Sequence, residues 1–301
     1  MPIEVQQSSV KVASGQPFSV TFNNPVMNYC FGISAFQVTY GPGDHWIRSL
    51  AIQTSSTGFT SSDHKTVGGQ VNITMEDDDQ DSAAASSFVV PVCIAVTESP
   101  DHNTTIANQA EISATDPRTV SFPNQGSSGL SFACFQSGFN LSFAQKDHQV
   151  LMAYAGCNLT NSGSEQGLIS STAGLEDGSG NQVDSPTVDA GYIATLATSP
   201  VALIYRRAQT QKSTSVTIDG WPSVGAAIAI ITDWQVRFPS VHNVQTITVG
   251  ALGDQVLNNI SISANTVTIP QLYGGMNDGS GNAQDNSQSH CGVQIVAVPG
   301  K

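Results

Sequence analysis

Phe36-Gln37-Val38-Thr39-Tyr40 is followed, five residues on, by His45. The arrangement returns as Phe139-Asn140-Leu141-Ser142-Phe143 before His148, and again as Trp234-Gln235-Val236-Arg237-Phe238 before His242. In each stretch the first, third and fifth residues are apolar and the two between them are polar. That is the period of a half-buried strand. From the leading aromatic to the histidine the interval is nine, nine and eight residues. Upstream, Val20-Thr21-Phe22, Val120-Ser121-Phe122 and Val216-Thr217-Ile218 introduce the three stretches in the same way.

The pattern also extends downstream. Met75-Glu76-Asp77, Leu175-Glu176-Asp177 and Met276-Asn277-Asp278 each open a polar loop, and an apolar strand around Ile94, Ile193 or Ile295 closes each unit. The Asp-to-Asp intervals are 100 and 101 residues, and the Asp-to-Ile intervals are 17, 16 and 17. A period held across this many anchors marks an internal triplication. The units are residues 1–100, 101–200 and 201–301, joined through polar stretches near Glu98 to Asn108 and Ala197 to Val201.

Other segments carry strand signals between clusters of Gly, Pro, Asn, Asp and Ser. They are Val10 to Ala13, Trp46 to Gln53, Val71 to Met75, Gln149 to Ala155, Val244 to Val249 and Thr266 to Ile269. The longest apolar runs, Phe88 to Val96 and Val224 to Ile231, read as buried strands and are too short for a membrane helix. No stretch has a capped helical stripe, and the Ala-rich Asp81 to Ser87 reads as a loop. The sequence predicts an all-β chain of three tandem antiparallel β-sandwich repeats, immunoglobulin-like or jelly-roll-like, with little or no helix. Each unit is long enough to enclose its own core. A rod or a compact three-lobed body follows, with a pseudo-threefold ring as the alternative.

Composition narrows the partners. Charged residues make up 11% of the 301, and 10 basic against 23 acidic residues leave a net charge of -13. So acidic a chain offers nucleic acid no electrostatic footprint, and it suits neither anionic membrane surfaces nor membrane insertion. The acidity is uneven: about -6 and -7 in the first two hundreds, and zero in the last, which also holds the pair Arg206-Arg207. Neutral polar residues replace the missing charges, and these cost less than ions to desolvate against another surface. Five cysteines without a C-x-x-C pair read as small buried thiols rather than a disulfide framework or zinc knuckle. MPIEVQQSSV at the start carries no visible signal peptide. The expected history is synthesis in the cytoplasm and a final place on a particle surface or outside the cell.

The chemistry-bearing candidates lie in the repeated loops. Asp177, Ser179, Asn181 and Asp184 stand at positions 1, 3, 5 and 8, and so do Asp278, Ser280, Asn282 and Asp285. The first loop offers Asp77, Asp79 and Asp81. Alternating oxygen ligands can wrap Ca²⁺. The competing reading is a hairpin loop in which Asp-Gly and Gly-Asn supply turn geometry. His45, His148 and His242 are either partner or ligand contacts or turn residues that fix each repeat. Arg206 and Arg207 are candidate contacts to the acidic repeats of another copy. No G-x-S-x-G, H-E-x-x-H or P-loop is present, so no catalytic residue and no required cofactor is assigned. The leading reading is a non-enzymatic structural or adhesive component of a virus or phage particle, tail, fibre or other filament, associating with itself or with other assembly subunits. A multivalent glycan-binding, lectin-like protein is the alternative. A toxin component and an enzyme on an unfamiliar scaffold follow.

Overall fold

A computed structural model describes residues 3–97, 103–124, 129–143, 146–163, 165–180, 185–209, 212–251 and 260–300. Among them there is no helix, and every strand pairing is antiparallel. The first repeat contributes β1 (Ile3–Gln7), β2 (Pro17–Thr21), β3 (Asn28–Thr39), β4 (Ser49–Phe59), β5 (Thr66–Glu76) and β6 (Phe88–Val96). The second contributes β7 (Thr104–Ile112), β8 (Arg118–Ser121), β9 (Leu130–Ser142), β10 (Val150–Asn161), β11 (Gln166–Glu176) and β12 (Thr187–Leu196). The third follows with β13 (Ala202–Gln209), β14 (Lys212–Thr217), β15 (Val224–His242) and β16 (Thr246–Ala251). It continues through the short β17 (Ser261–Ser263) to β18 (Thr266–Asn277) and β19 (His290–Pro299).

The alternating stretches lie in the long strands β3, β9 and β15, with Tyr40 and Phe143 one residue past the ends of β3 and β9. Both long apolar runs are strands, and every residue of β6 is buried. Of the Val10 to Ala13 segment, only Val12 pairs, as an isolated bridge to Val89. Asp81 to Ser87 is irregular.

The strands form three sheets. Their orders are β1-β6-β3-β16-β18-β14, with β17 beside β18, then β7-β12-β9-β4-β5-β2, and β13-β19-β15-β10-β11-β8. Each sheet takes three strands from one repeat and three from another, and the first also holds the short β17 of the third repeat. The seams are equivalent: Phe36 faces Val249, Phe139 faces Ile52, and Trp234 faces Ala155. Every repeat therefore divides its strands between one sheet and the next, and the exchange closes in a ring.

The three leading aromatics of the alternating stretches meet one another inside that ring. Ring centroids are 5.4 Å apart for Phe36 and Phe139, 5.5 Å for Phe36 and Trp234, and 5.3 Å for Phe139 and Trp234. All three are at most 1% exposed. Tilted and edge-to-face contacts at these distances suit the aromatic quadrupole. The largest apolar cluster runs through residues of all three repeats, and so does the smaller one around Ile3, Ile106 and Ile230. The expectation of a separate core inside each unit gives way here to cores that the repeats share. The physical reason lies in the strand pattern. A strand with one apolar face specifies that face, not the neighbour on its hydrogen-bonding edge.

Candidate functional site

The repeated histidines and the first aspartates of the repeated loops find each other. Nδ1 of His45 lies 3.0 Å from Asp77 Oδ2, that of His148 3.1 Å from Asp177 Oδ2, and that of His242 3.3 Å from Asp278 Oδ2. Each imidazole also packs on the aromatic that ends its alternating stretch: Tyr40 at 4.7 Å, Phe143 at 4.7 Å and Phe238 at 5.0 Å. The carboxylates are buried, at 3%, 7% and 4% side-chain exposure.

These aspartates organise their own loops. Asp77 accepts from the Asp81 backbone N–H at 2.9 Å. Asp177 accepts from the Ser179 N–H at 2.8 Å and from its hydroxyl. Asp278 accepts from the N–H groups of Ser280 and Asn282, at 3.0 and 2.8 Å, and from the Asn282 amide at 2.7 Å. Burial pushes the Asp278 carboxyl upward, but these donors and His242 outweigh it and hold it below the ordinary carboxylate value. The turn geometry anticipated for Gly is present, with φ of 96° at Gly180 and 95° at Gly281; Gln80 takes the equivalent place in the first loop at 72°.

The same segments join the repeats. His45 pairs through its backbone with Val244, His148 with Ile47, and His242 with Val150. Each partner is the residue two past a neighbouring repeat's histidine, and all three are fully buried. Asp78 and Asp147 exchange backbone-to-carboxylate hydrogen bonds at 3.3 and 3.2 Å. In the other two loops a Cβ on Gly178 would come within 3.1 Å of Val241, and one on Gly279 within 3.5 Å of Asp44.

This arrangement decides much about the cation ligands. Asp285 does not join Asp278: its carboxylate accepts from the Ser287 N–H and hydroxyl and from the Gln288 amide. Asn282 turns its donor amide toward Asp278. Asp79 is exposed, and Asn181 and Asp184 lie outside the described residues. Among the described residues one set, His45, Asp77 and Asp81, brings ligand atoms within 4.8 Å of one another. A histidine nitrogen in that set departs from the all-oxygen shell of Ca²⁺. The five cysteines are all free and buried.

A second constellation stands where one seam opens. Pairing between β10 and β15 stops at Gly156 opposite Asp233; beyond it β10 continues along β11 and β15 along β19. Gln136 of β9 bridges the fork, donating to Ala155 O at 2.8 Å and Thr232 O at 3.0 Å and accepting from Trp234 Nε1 at 3.2 Å. A cavity of about 570 Å³ lies at the fork, lined among others by Phe132, Tyr154, Leu159, Thr232, Asp233 and Arg207. Tyr205 donates to Asp233 Oδ2 at 2.6 Å. His290 Nε2 is 3.2 Å from Asp233 Oδ1 and Arg207 Nε is 3.7 Å from it. Neither has hydrogen-bond geometry, so Oδ1 is buried without a hydrogen-bond partner, as is Thr232 Oγ1. An Arg207 terminal nitrogen lies 3.0 Å from His290 Nδ1. A guanidinium can only donate, so Nδ1 accepts. Burial raises the Asp233 carboxyl, yet His290, Tyr205 and Arg207 together bring it below its ordinary value. Gly156 and Gly292 make the room: a Cβ would fall 3.0 Å from Asp233 Cβ in the first and 2.4 Å from its Oδ2 in the second.

The structure thus separates the two candidate arginines. Arg207 joins this cluster, while Arg206 donates to the Tyr205 carbonyl. Asp233, His290 and Tyr205 escaped the sequence reading, which followed the residues that repeat. Asp233 stands one residue before Trp234, where the other repeats have Ala35 and Gly138. A lone acid ending the apolar run Ala226 to Ile231 was the available signal.

No protein-family model matches the chain, and no curated protein matches it. Among solved structures, a selenomethionine-labelled mavirus penton protein aligns over 99% of both chains at 8% identity with a TM-score of 0.15, a likeness too low to carry an argument.

Proposed function

We propose that this chain is a non-enzymatic structural or adhesive building block, acting on the surface of a larger assembly such as a virus or phage particle, a tail or fibre, or another multi-protein filament. One observation supports the reading: the residues that recur in every repeat are spent on construction. The aromatic triangle, the histidine–aspartate pairs and the backbone pairs beside them all tie the repeats to one another. A body braced in this way, with few surface charges, suits broad contact with neighbouring subunits. The edge strands β2, β8 and β14 are only 5, 4 and 6 residues long, which discourages uncontrolled pairing there, while β7 and β13 at the opposite edges of two sheets run 9 and 8 residues. Contacts are then open to faces, loops and these two longer edges. The partners are other copies or other subunits of the assembly, reached outside the cell or on a particle.

Light scattering and electron microscopy of the purified protein test this. Rings, filaments or large oligomers are expected as concentration rises. A monomer at every concentration and salt condition, with no binding to any particle surface, overturns it. If contacts join the neutral third repeat to the acidic first two, association weakens with salt. Arg206→Ala combined with Arg207→Ala weakens it too. A protein with three equivalent glycan sites is the weaker reading, because Ala35 and Gly138 stand where the cavity of the third seam has Asp233.

A further inference from the structure

We propose that Cys134 and Cys157 form a redox pair that closes into one disulfide beside the β10–β15 fork, stapling β9 of the second sheet to β10 of the third. This does not depend on whether the chain assembles. Residues two apart on a strand share a face. Cys134 therefore lies on the face of β9 that carries Gln136, and Cys157 on the face of β10 that carries Ala155. The Gln136 amide donates to Thr232 O at 3.0 Å, and Cys157 Sγ donates to the same oxygen at 3.7 Å. Gln136 also reaches Ala155 O at 2.8 Å. Both cysteines belong to one apolar cluster, and both line the cavity of about 570 Å³ at the fork, which leaves their side chains room to turn. The two thiols hydrogen-bond, and together with burial this contact holds the Cys157 thiol well above its ordinary value.

The remaining cysteines are placed differently. Cys30 and Cys93 stand on neighbouring strands, one register step apart, so they face opposite sides of the sheet and enter different apolar clusters. Cys291 on β19 has Ala208 and Trp234 beside it on the adjoining strands. Closure of the Cys134–Cys157 pair is a two-electron oxidation, which a disulfide such as oxidised glutathione supplies. One cysteine thiolate attacks a glutathione sulfur and displaces a glutathione thiolate. The second cysteine thiolate attacks the protein sulfur of that mixed disulfide and displaces the other glutathione. The two cysteine protons end on the two glutathione thiolates, so two S–H bonds give way to one S–S bond and one oxidised glutathione becomes two reduced ones. Cys134 is 4% and Cys157 6% exposed, and a raised thiol holds little thiolate, so exchange in the folded protein is slow. The bond forms as the chain folds. Twenty-two residues lie between the pair, and closing that loop restricts the unfolded chain.

Refolding in a glutathione redox buffer, beside refolding under reductant, tests the proposal. The oxidised product should be lighter by about 2 Da. Non-reducing peptide mapping should join Cys134 to Cys157 and find Cys30, Cys93 and Cys291 as thiols. The melting temperature should exceed that of the reduced protein by several degrees and fall back when reductant is added. Cys134→Ala should show neither the mass loss nor the shift. If refolding fails by circular dichroism, native protein treated overnight with the small oxidant diamide is read by the same mapping. The proposal is overturned if the folded, oxidant-treated protein keeps all five thiols, or if a bond joins any other pair. It is also overturned if the oxidised protein melts no higher than the reduced one.

Discussion

At the scale of single residues, the aspartate that opens each polar loop does several jobs at once. Asp278 faces His242 and accepts from two backbone N–H groups and one side-chain amide. Asp278→Ala would leave those donors and the imidazole without their acceptor. A loss of about 2 kcal/mol is expected by chemical denaturation near neutral pH, the range for hydrogen bonds to a charged group. The carboxyl is held below its unfolded value, so its charge-dependent contribution is fully present above about pH 4 and fades as pH falls through the folded value. The gap between wild type and Asp278→Ala should therefore be full at pH 6 and shrink below pH 4. A gap that stays constant down to about pH 2 would mean that the lost contacts do not depend on the charge. His45, His148 and His242 were legible in the sequence as one repeated position, read either as turn residues that fix each repeat or as partner or ligand contacts. Their partners Asp77, Asp177 and Asp278 were legible only as loop acids, because a stretch of some thirty residues separates each pair and no local pattern links them.

At the scale of elements, the loops and the fork behave differently because one recurs and the other does not. The loop aspartates already have protein donors, and Asp285 has donors of its own. Adding millimolar Ca²⁺ or a chelator should leave the melting temperature unchanged. A rise with Ca²⁺ that disappears in Asp81→Ala would instead place a cation at His45, Asp77 and Asp81. At the fork, Gln136 is 1% exposed and satisfies two carbonyls and an indole N–H. Gln136→Leu keeps much of the volume and strands all three groups. It should cost about 3 kcal/mol in urea unfolding, and a cost below about 0.5 kcal/mol would mean that water replaces the amide. The sequence places a strand at Phe139 to Phe143. It does not disclose that the preceding Gln136 crosses to β10 and β15, since the pairing of a polar side chain across sheets leaves no periodic trace.

At the scale of the whole molecule, periodicity could establish three units but not how they share strands. Phe36, Phe139 and Trp234 have the same place in each unit, and alternation fixes only that they are inside. The aromatic triangle and the seams from β3 to β16, β9 to β4 and β15 to β10 arise from long-range closure. This closure has a thermodynamic consequence. Every sheet and both large apolar clusters cross repeat boundaries, so no repeat can open without breaking a seam on each side. Calorimetry of the full chain should show one cooperative transition rather than three, with van't Hoff and calorimetric enthalpies in agreement. The excised segment 1–100 supplies a sharper test. Alone, β3 lacks β16, β4 lacks β9, and Phe36 loses both ring partners. It should be unfolded when dilute. If it folds on concentration it should do so as a trimer, in which the β4 edge of one copy meets the β3 edge of the next and three Phe36 rings rebuild the triangle. Circular dichroism and sedimentation equilibrium read both properties. A folded monomer of that segment, with a sigmoidal melt independent of concentration, would show that each repeat is stable without its neighbours and that the shared seams are secondary to its fold.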